Sequence, residues 1–172
     1  GEDYRLTLWA KAAEGEGGIK VELIDQLTDS EPQAFVTQEL KITSGEWKKY
    51  ELIMRSPKND TEASLRILLN GKAPVCLEHV SLFPVKTFKN RKNGMRADLA
   101  QALADMHPGV FRFPGGCIVE GADLQTRYQW KNTIGPVENR PVNENRWQYA
   151  MKSRISPDYY QSYGLGFFEY FQ

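Results

Sequence analysis

Up to Pro84 the chain alternates apolar and polar residues with a period of two, and beyond it that period is lost. Successive side chains of a strand point to opposite faces, so alternation marks strands with one buried face. DYRLTLWAK, residues 3–11, sets Leu6, Leu8 and Ala10 on one face and Arg5, Thr7 and Trp9 on the other. IKVELID repeats the pattern with Ile19, Val21 and Leu23. Further strands are expected at AFVTQELKI, WKKYELIM, ASLRILLN and VCLEHVSLFP, separated by Gly15, Gly17 and Gly18, by Ser44-Gly45 and by Asn70-Gly71. Six short strands joined by such turns predict an antiparallel β-sandwich over residues 1–86.

Residues 86–92 are basic and polar, followed by Asn93-Gly94, and read as a linker. MRADLAQALADM then places Met95, Leu99, Leu103 and Met106 at helical spacing. His107-Pro108-Gly109 ends that helix. Residues 110–113 follow as a short buried strand before a Gly-rich turn, an order that belongs to α/β architecture. Regular structure is scarce over 115–157, longer than an ordinary connection and therefore a candidate for function. Asp158 is placed to cap a last helical stretch, which the pattern predicts at 167–172.

Composition narrows the function. The 22 basic residues balance the 22 acidic ones, so no net charge draws the chain to nucleic acid or to an anionic membrane. No apolar run approaches the roughly eighteen residues of a membrane-spanning helix, and no signal peptide opens the chain. Cys76 and Cys117 are far apart in sequence, as are His79 and His107, which leaves no zinc-ligand spacing and calls for no metal or cofactor. Two free thiols are expected, with a disulfide left open.

FRFPGGCIVEG, residues 111–121, carries a charge inside an apolar run just before a sharp turn. Burying an unpaired guanidinium is costly, so Arg112 points either to solvent or into a site. Downstream stands YQWKNTIGPVENRP. Together the two stretches resemble glycoside hydrolase family 51, the α-L-arabinofuranosidases, with Arg112, Pro114, Gly115, Gly116, Trp130, Gly135, Pro136 and Arg140 standing where that pattern wants them. The first half resembles a family 4 and 9 carbohydrate-binding module through YRLTLWAKA, ITSGEWKKYELIM and VCLEHVSLFP.

The resemblance implies a jelly-roll, galactose-binding-like sandwich over 1–86 and the early part of a (β/α)8 barrel over 87–172. It also implies a chain cut at both ends, whose two catalytic glutamates belong to later barrel strands. Arg112, Gly115, Gly116, Cys117 and Trp130 are then expected to bind substrate, an arabinose-containing polysaccharide or oligosaccharide. Arg112 and Cys117 would contact the sugar of the innermost subsite; many relatives have asparagine in place of Cys117, and a thiol is a weak hydrogen-bonding group. A structural ion pair beneath the loop is the competing role for Arg112. The setting the resemblance favours is extracytoplasmic, and pairing with a second copy is left open.

A retaining glycosidase needs two carboxyl groups roughly 5 Å apart. Glu120, Asp123, Glu138, Glu144, Asp158 and Glu169 are available here. Asn143-Glu144 looks like an acid/base pair but is read as lying in a loop, and is rejected. Glu138 and Arg140 are expected to organise that loop. Trp130 suits either a sugar face or an anchor for the loop. Trp9, Trp47, Tyr4 and Tyr50 are candidates for a sugar platform, with core packing as the default, and no Asp-rich loop marks a calcium site. A non-catalytic carbohydrate-binding or structural sandwich is the alternative reading of the whole.

Overall fold

In the computed structural model, which describes residues 1–25, 32–113, 115–147 and 160–171, the alternating stretches become six strands. They are β1 (Asp3–Ala12), β2 (Gly17–Asp25), β3 (Gln33–Ile42), β4 (Lys48–Arg55), β5 (Ser64–Leu69) and β6 (Val75–Pro84). Each coincides with an expected strand to within one or two residues. All pairings are antiparallel, in two three-stranded sheets ordered β4-β1-β6 and β3-β2-β5.

The central strand of each sheet supplies the core. Leu6, Leu8, Ala10 and Ala12 of β1 meet Ile19, Val21 and Leu23 of β2, with Ile42 and Met54 completing one buried cluster. Each large side chain so placed contributes about 1.5–3 kcal/mol of burial. The sheets also bend. Thr7 pairs with Ser81 and Trp9 with Glu78, so His79 and Val80 together oppose Leu8 in a bulge where His79 takes φ +48°. On the outer side of β2, Glu22 is buried yet satisfied: Lys20 lies at 2.9 Å and Arg66 at 2.7 Å. Those two cations hold its carboxyl below the ordinary range.

The chain divides into two units, Gly1–Met106 and His107–Gln172. The expected linker is not a free connection. Thr87 is buried, it bridges to Arg96, and Lys92 reaches Glu51 at 2.9 Å. Helix α1 (Ala97–Asp105) forms where the spacing placed it. Its apolar stripe, however, faces solvent at Met95, Leu99, Leu103 and Met106, and Ala100 is the residue it buries.

The expected strand at 110–113 does not form. These residues have no ladder partner among the described residues, and Val110 and Phe111 are 85% and 67% exposed. A strand needs a neighbour to satisfy its backbone groups, and none is described there. Helix α2 (Cys117–Glu120), strands β7 (Val142–Glu144) and β8 (Tyr160–Ser162) and helix α3 (Phe167–Phe171) are the short regular elements of the second unit. Pro114, Asp158 and Gln172 lie outside the described residues. The molecule is thus mainly β, with open sheets and few helices.

Candidate functional site

The glycine-rich turn is built around Gly116, which takes φ +63° and ψ −143°. Residues with a side chain rarely adopt that conformation. It turns the chain into α2, where the Val119 N–H donates to the Gly116 carbonyl at 3.0 Å. Arg112 is exposed and makes no ion pair with another described residue. Its guanidinium folds back over the main chain: a Cβ added at Gly115 would lie 3.4 Å from Nε and 3.6 Å from Cζ. The side chain stands at the surface, over a turn kept bare by glycine. Cys117 opens α2 as a half-buried free thiol, and Cys76 is free as well.

Trp130 begins a single 3-10 turn, Trp130–Thr133, closed by Thr133 Oγ1 donating to the Trp130 carbonyl at 2.6 Å. Its ring stands edge-on to Phe167, with centroids 6.2 Å apart. Phe167 in turn meets Phe113 at 5.6 Å, and Phe113 meets Tyr170 at 4.2 Å. Ring contacts therefore connect the Trp130 turn to the residue next to Arg112. Beside them a groove of about 390 Å³ is lined by Trp130, Phe167, Phe168 and Phe171.

Arg140 ties these parts together. Its side chain is 4% exposed, and it donates to the Gly135 carbonyl from Nε at 3.0 Å and to the Tyr163 carbonyl at 2.8 Å. It also donates to the Gly164 carbonyl and pairs with Glu169. Burial pushes the Glu169 carboxyl up, but hydrogen bonds from Arg140 and from the Gly166 N–H outweigh this and hold it below the ordinary range. Gly166 sits against Thr133, which is fully buried; a Cβ there would fall 2.1 Å from the Thr133 Cβ.

Asn143-Glu144 is on a strand, not in a loop: β7 pairs antiparallel with β8, Asn143 opposite Gln161. The side chain of Asn143 is already engaged, donating to the Tyr163 hydroxyl at 2.7 Å and to the Thr126 carbonyl at 3.0 Å. Two further carboxylates, those of Glu120 and Asp123, have structural partners as well. Glu120 pairs with Arg146, and Asp123 accepts from the Gln125 and Thr126 N–H groups at 2.9 and 2.8 Å. Among the described residues no group of three or more His, Cys, Asp or Glu is placed to hold a metal.

In the first unit the four aromatic platform candidates part company. Trp9 pairs across the sheet with Lys49 on the outer face, and Lys11 lies over the Trp47 ring at 5.1 Å. Tyr50, opposite Leu8, packs on the core, and Tyr4 lies opposite the buried Met54.

A family model described as the alpha-L-arabinofuranosidase 1 domain matches residues 102–172, taking in the whole second unit. A solved arabinose-bound family 51 α-L-arabinofuranosidase superposes on 98% of the chain with a TM-score of 0.77 at 30% identity. The chain is thus similar, over nearly its whole length, to one segment of that family 51 enzyme. An extracellular exo-alpha-L-arabinofuranosidase of Streptomyces chartreusis is 35% identical over all of the chain. Alpha-L-arabinofuranosidase 1 of Arabidopsis thaliana is 33% identical, again over all of it. The chain spans 20% and 24% of those two enzymes and 26% of the solved one.

The resemblance carried by FRFPGGCIVEG and YQWKNTIGPVENRP thus extends from end to end. Sequence reasoning missed the contact of Gly166 with Thr133 and the parts played by Tyr163 and Asn143. The buried Tyr163 is stacked on Tyr128 at 5.1 Å. GLGFF around Gly166 held the one available signal, a glycine just before an aromatic helix.

Proposed function

We propose that this chain is one segment of a retaining α-L-arabinofuranosidase that removes terminal arabinofuranosyl residues from plant polysaccharides or oligosaccharides. Residues 1–86 are a jelly-roll module of the carbohydrate-binding kind, and 87–172 open a (β/α)8 catalytic barrel. The acid/base and nucleophile glutamates come from later strands. Arg112 reaches the sugar from the bare Gly115-Gly116 turn, Cys117 flanks it, and Trp130 forms a wall. An extracytoplasmic setting agrees with the relative named as extracellular.

The observation carrying this reading is the turn itself. An exposed arginine without an ion pair, over two glycines and joined through Phe113 and Phe167 to an exposed tryptophan, has donors and an apolar face free for a ligand. The test is hydrolysis of 4-nitrophenyl glycosides by the longer enzyme containing this segment. The α-L-arabinofuranoside should be cleaved in strong preference to the α-L-arabinopyranoside and β-D-xylopyranoside. Equal or reversed preference would refute the assignment.

A further inference from the structure

We propose that Asn70 is a modification site, at which the side-chain amide is lost by spontaneous cyclisation onto the Gly71 backbone. The sequence has two Asn-Gly steps, Asn70-Gly71 and Asn93-Gly94. Glycine, having no Cβ, least obstructs attack by its own backbone nitrogen. The other asparagines precede Asp60, Arg91, Thr133, Arg140, Glu144 and Arg146, all of which carry bulk at that place.

The structure separates the two steps. Asn70 follows β5 and is exposed, as is Gly71. Neither the Asn70 side chain nor the Gly71 N–H makes a hydrogen bond to another described residue. The amide can therefore turn toward a nitrogen that has no competing partner. Asn93 is held instead. It takes φ +53°, its side-chain oxygen is buried, and the Gly94 N–H donates to the Arg91 carbonyl at 3.0 Å. Having to break that bond first slows the attack roughly twofold to tenfold.

The chemistry balances with water alone. The Gly71 nitrogen gives its proton to solvent and bonds to the side-chain carbonyl carbon of Asn70. The carbon–nitrogen bond of the amide breaks, and ammonia leaves with a proton from water. Water then opens the resulting succinimide at either carbonyl, giving aspartate or isoaspartate. Either product adds a negative charge to a chain whose formal net charge is zero. Isoaspartate also lengthens the backbone just after the Asn70 N–H, which donates to the Gly18 carbonyl at 2.8 Å. Gly71 lies close against that strand, since a Cβ added to it would fall 3.0 Å from the Gly18 nitrogen. The change thus falls at the end of the β2–β5 pairing.

The test is incubation of the folded full chain in mildly alkaline buffer, followed by tryptic peptide mass mapping. Cleavage after Lys and Arg puts the two sites on separate peptides, residues 67–72 and 93–96. Asn70 should convert roughly tenfold faster than Asn93 in the folded chain, and the difference should disappear in urea. Enzymatic methylation specific for isoaspartate should label the first peptide. Asn70→Gln, which alters an exposed side chain, should remove that label. No conversion at Asn70, conversion of Asn93 at an equal or greater rate in the folded chain, the same difference persisting in urea, or labelling undiminished by Asn70→Gln would overturn the proposal.

Discussion

Arg140 and Glu169 stand 29 residues apart in sequence and form an ion pair in which the guanidinium is buried and the carboxylate half-buried. The guanidinium serves three backbone carbonyls besides the carboxylate, so it links the Gly135 turn, the segment after β8 and α3. Removing one partner of such a pair leaves the other charge without compensation.

Arg140→Met should therefore destabilise the second unit by about 1–3 kcal/mol, read as a lower denaturation midpoint. Acid should act on the same link. The folded Glu169 carboxyl titrates below its unfolded value, so its contribution is complete above the unfolded pKa of about 4.3 and is lost as pH falls through the lower folded value. Unfolding of wild type should become easier below about pH 4, and Glu169→Gln should flatten that dependence. An acid profile unaltered by the substitution would contradict the assignment.

Gly166→Ala tests the packing of α3 on the Trp130 turn. The added methyl would fall on the fully buried Thr133, and overpacking of this kind costs about 1–3 kcal/mol. Gly45→Ala, where nothing lies within 4 Å, is the matched control and should change thermal stability far less.

How much of this was legible in sequence depended on where each residue's partners are. The strands from β1 to β6 were readable because their alternation repeats locally, and Leu6, Leu8 and Ala10 fall on the buried face as expected. The helical spacing of Met95, Leu99, Leu103 and Met106 was equally clear, yet spacing specifies a face and not what covers it. Val110 and Phe111 mislead for the same reason: an apolar run becomes a strand only beside another strand. Arg140 was expected to organise its loop, and does. Its partner Glu169 could not be paired with it from sequence, because 29 residues of chain separate them.

Hydrogen exchange should separate the two units. The first has a cluster of buried aliphatic side chains, whereas Tyr163 is the one fully buried apolar side chain among the described residues of the second. Amides of β1 and β2 should be the most protected, and those of β7, β8 and α3 should exchange much sooner in a dilute monomer. Equal, strong protection in both would mean that the second unit has a core of its own.

The isolated chain should hydrolyse no aryl α-L-arabinofuranoside. Glu120, Asp123 and Glu169 are committed to structural contacts, and the proposed catalytic pair lies elsewhere in the enzyme. Turnover by contaminant-free chain would show that the carboxylates had been misassigned.

The most direct measurement is the kinetics of Arg112→Ala in the longer enzyme, with its thermal unfolding followed in parallel. Arg112 is exposed and has no ion pair among the described residues, so the unfolding temperature should move by less than about 2 °C. A lost charged hydrogen bond to the sugar should lower kcat/KM about ten- to hundredfold. Unchanged kcat/KM, or a collapse of the unfolding temperature, would contradict a sugar-binding role for this arginine.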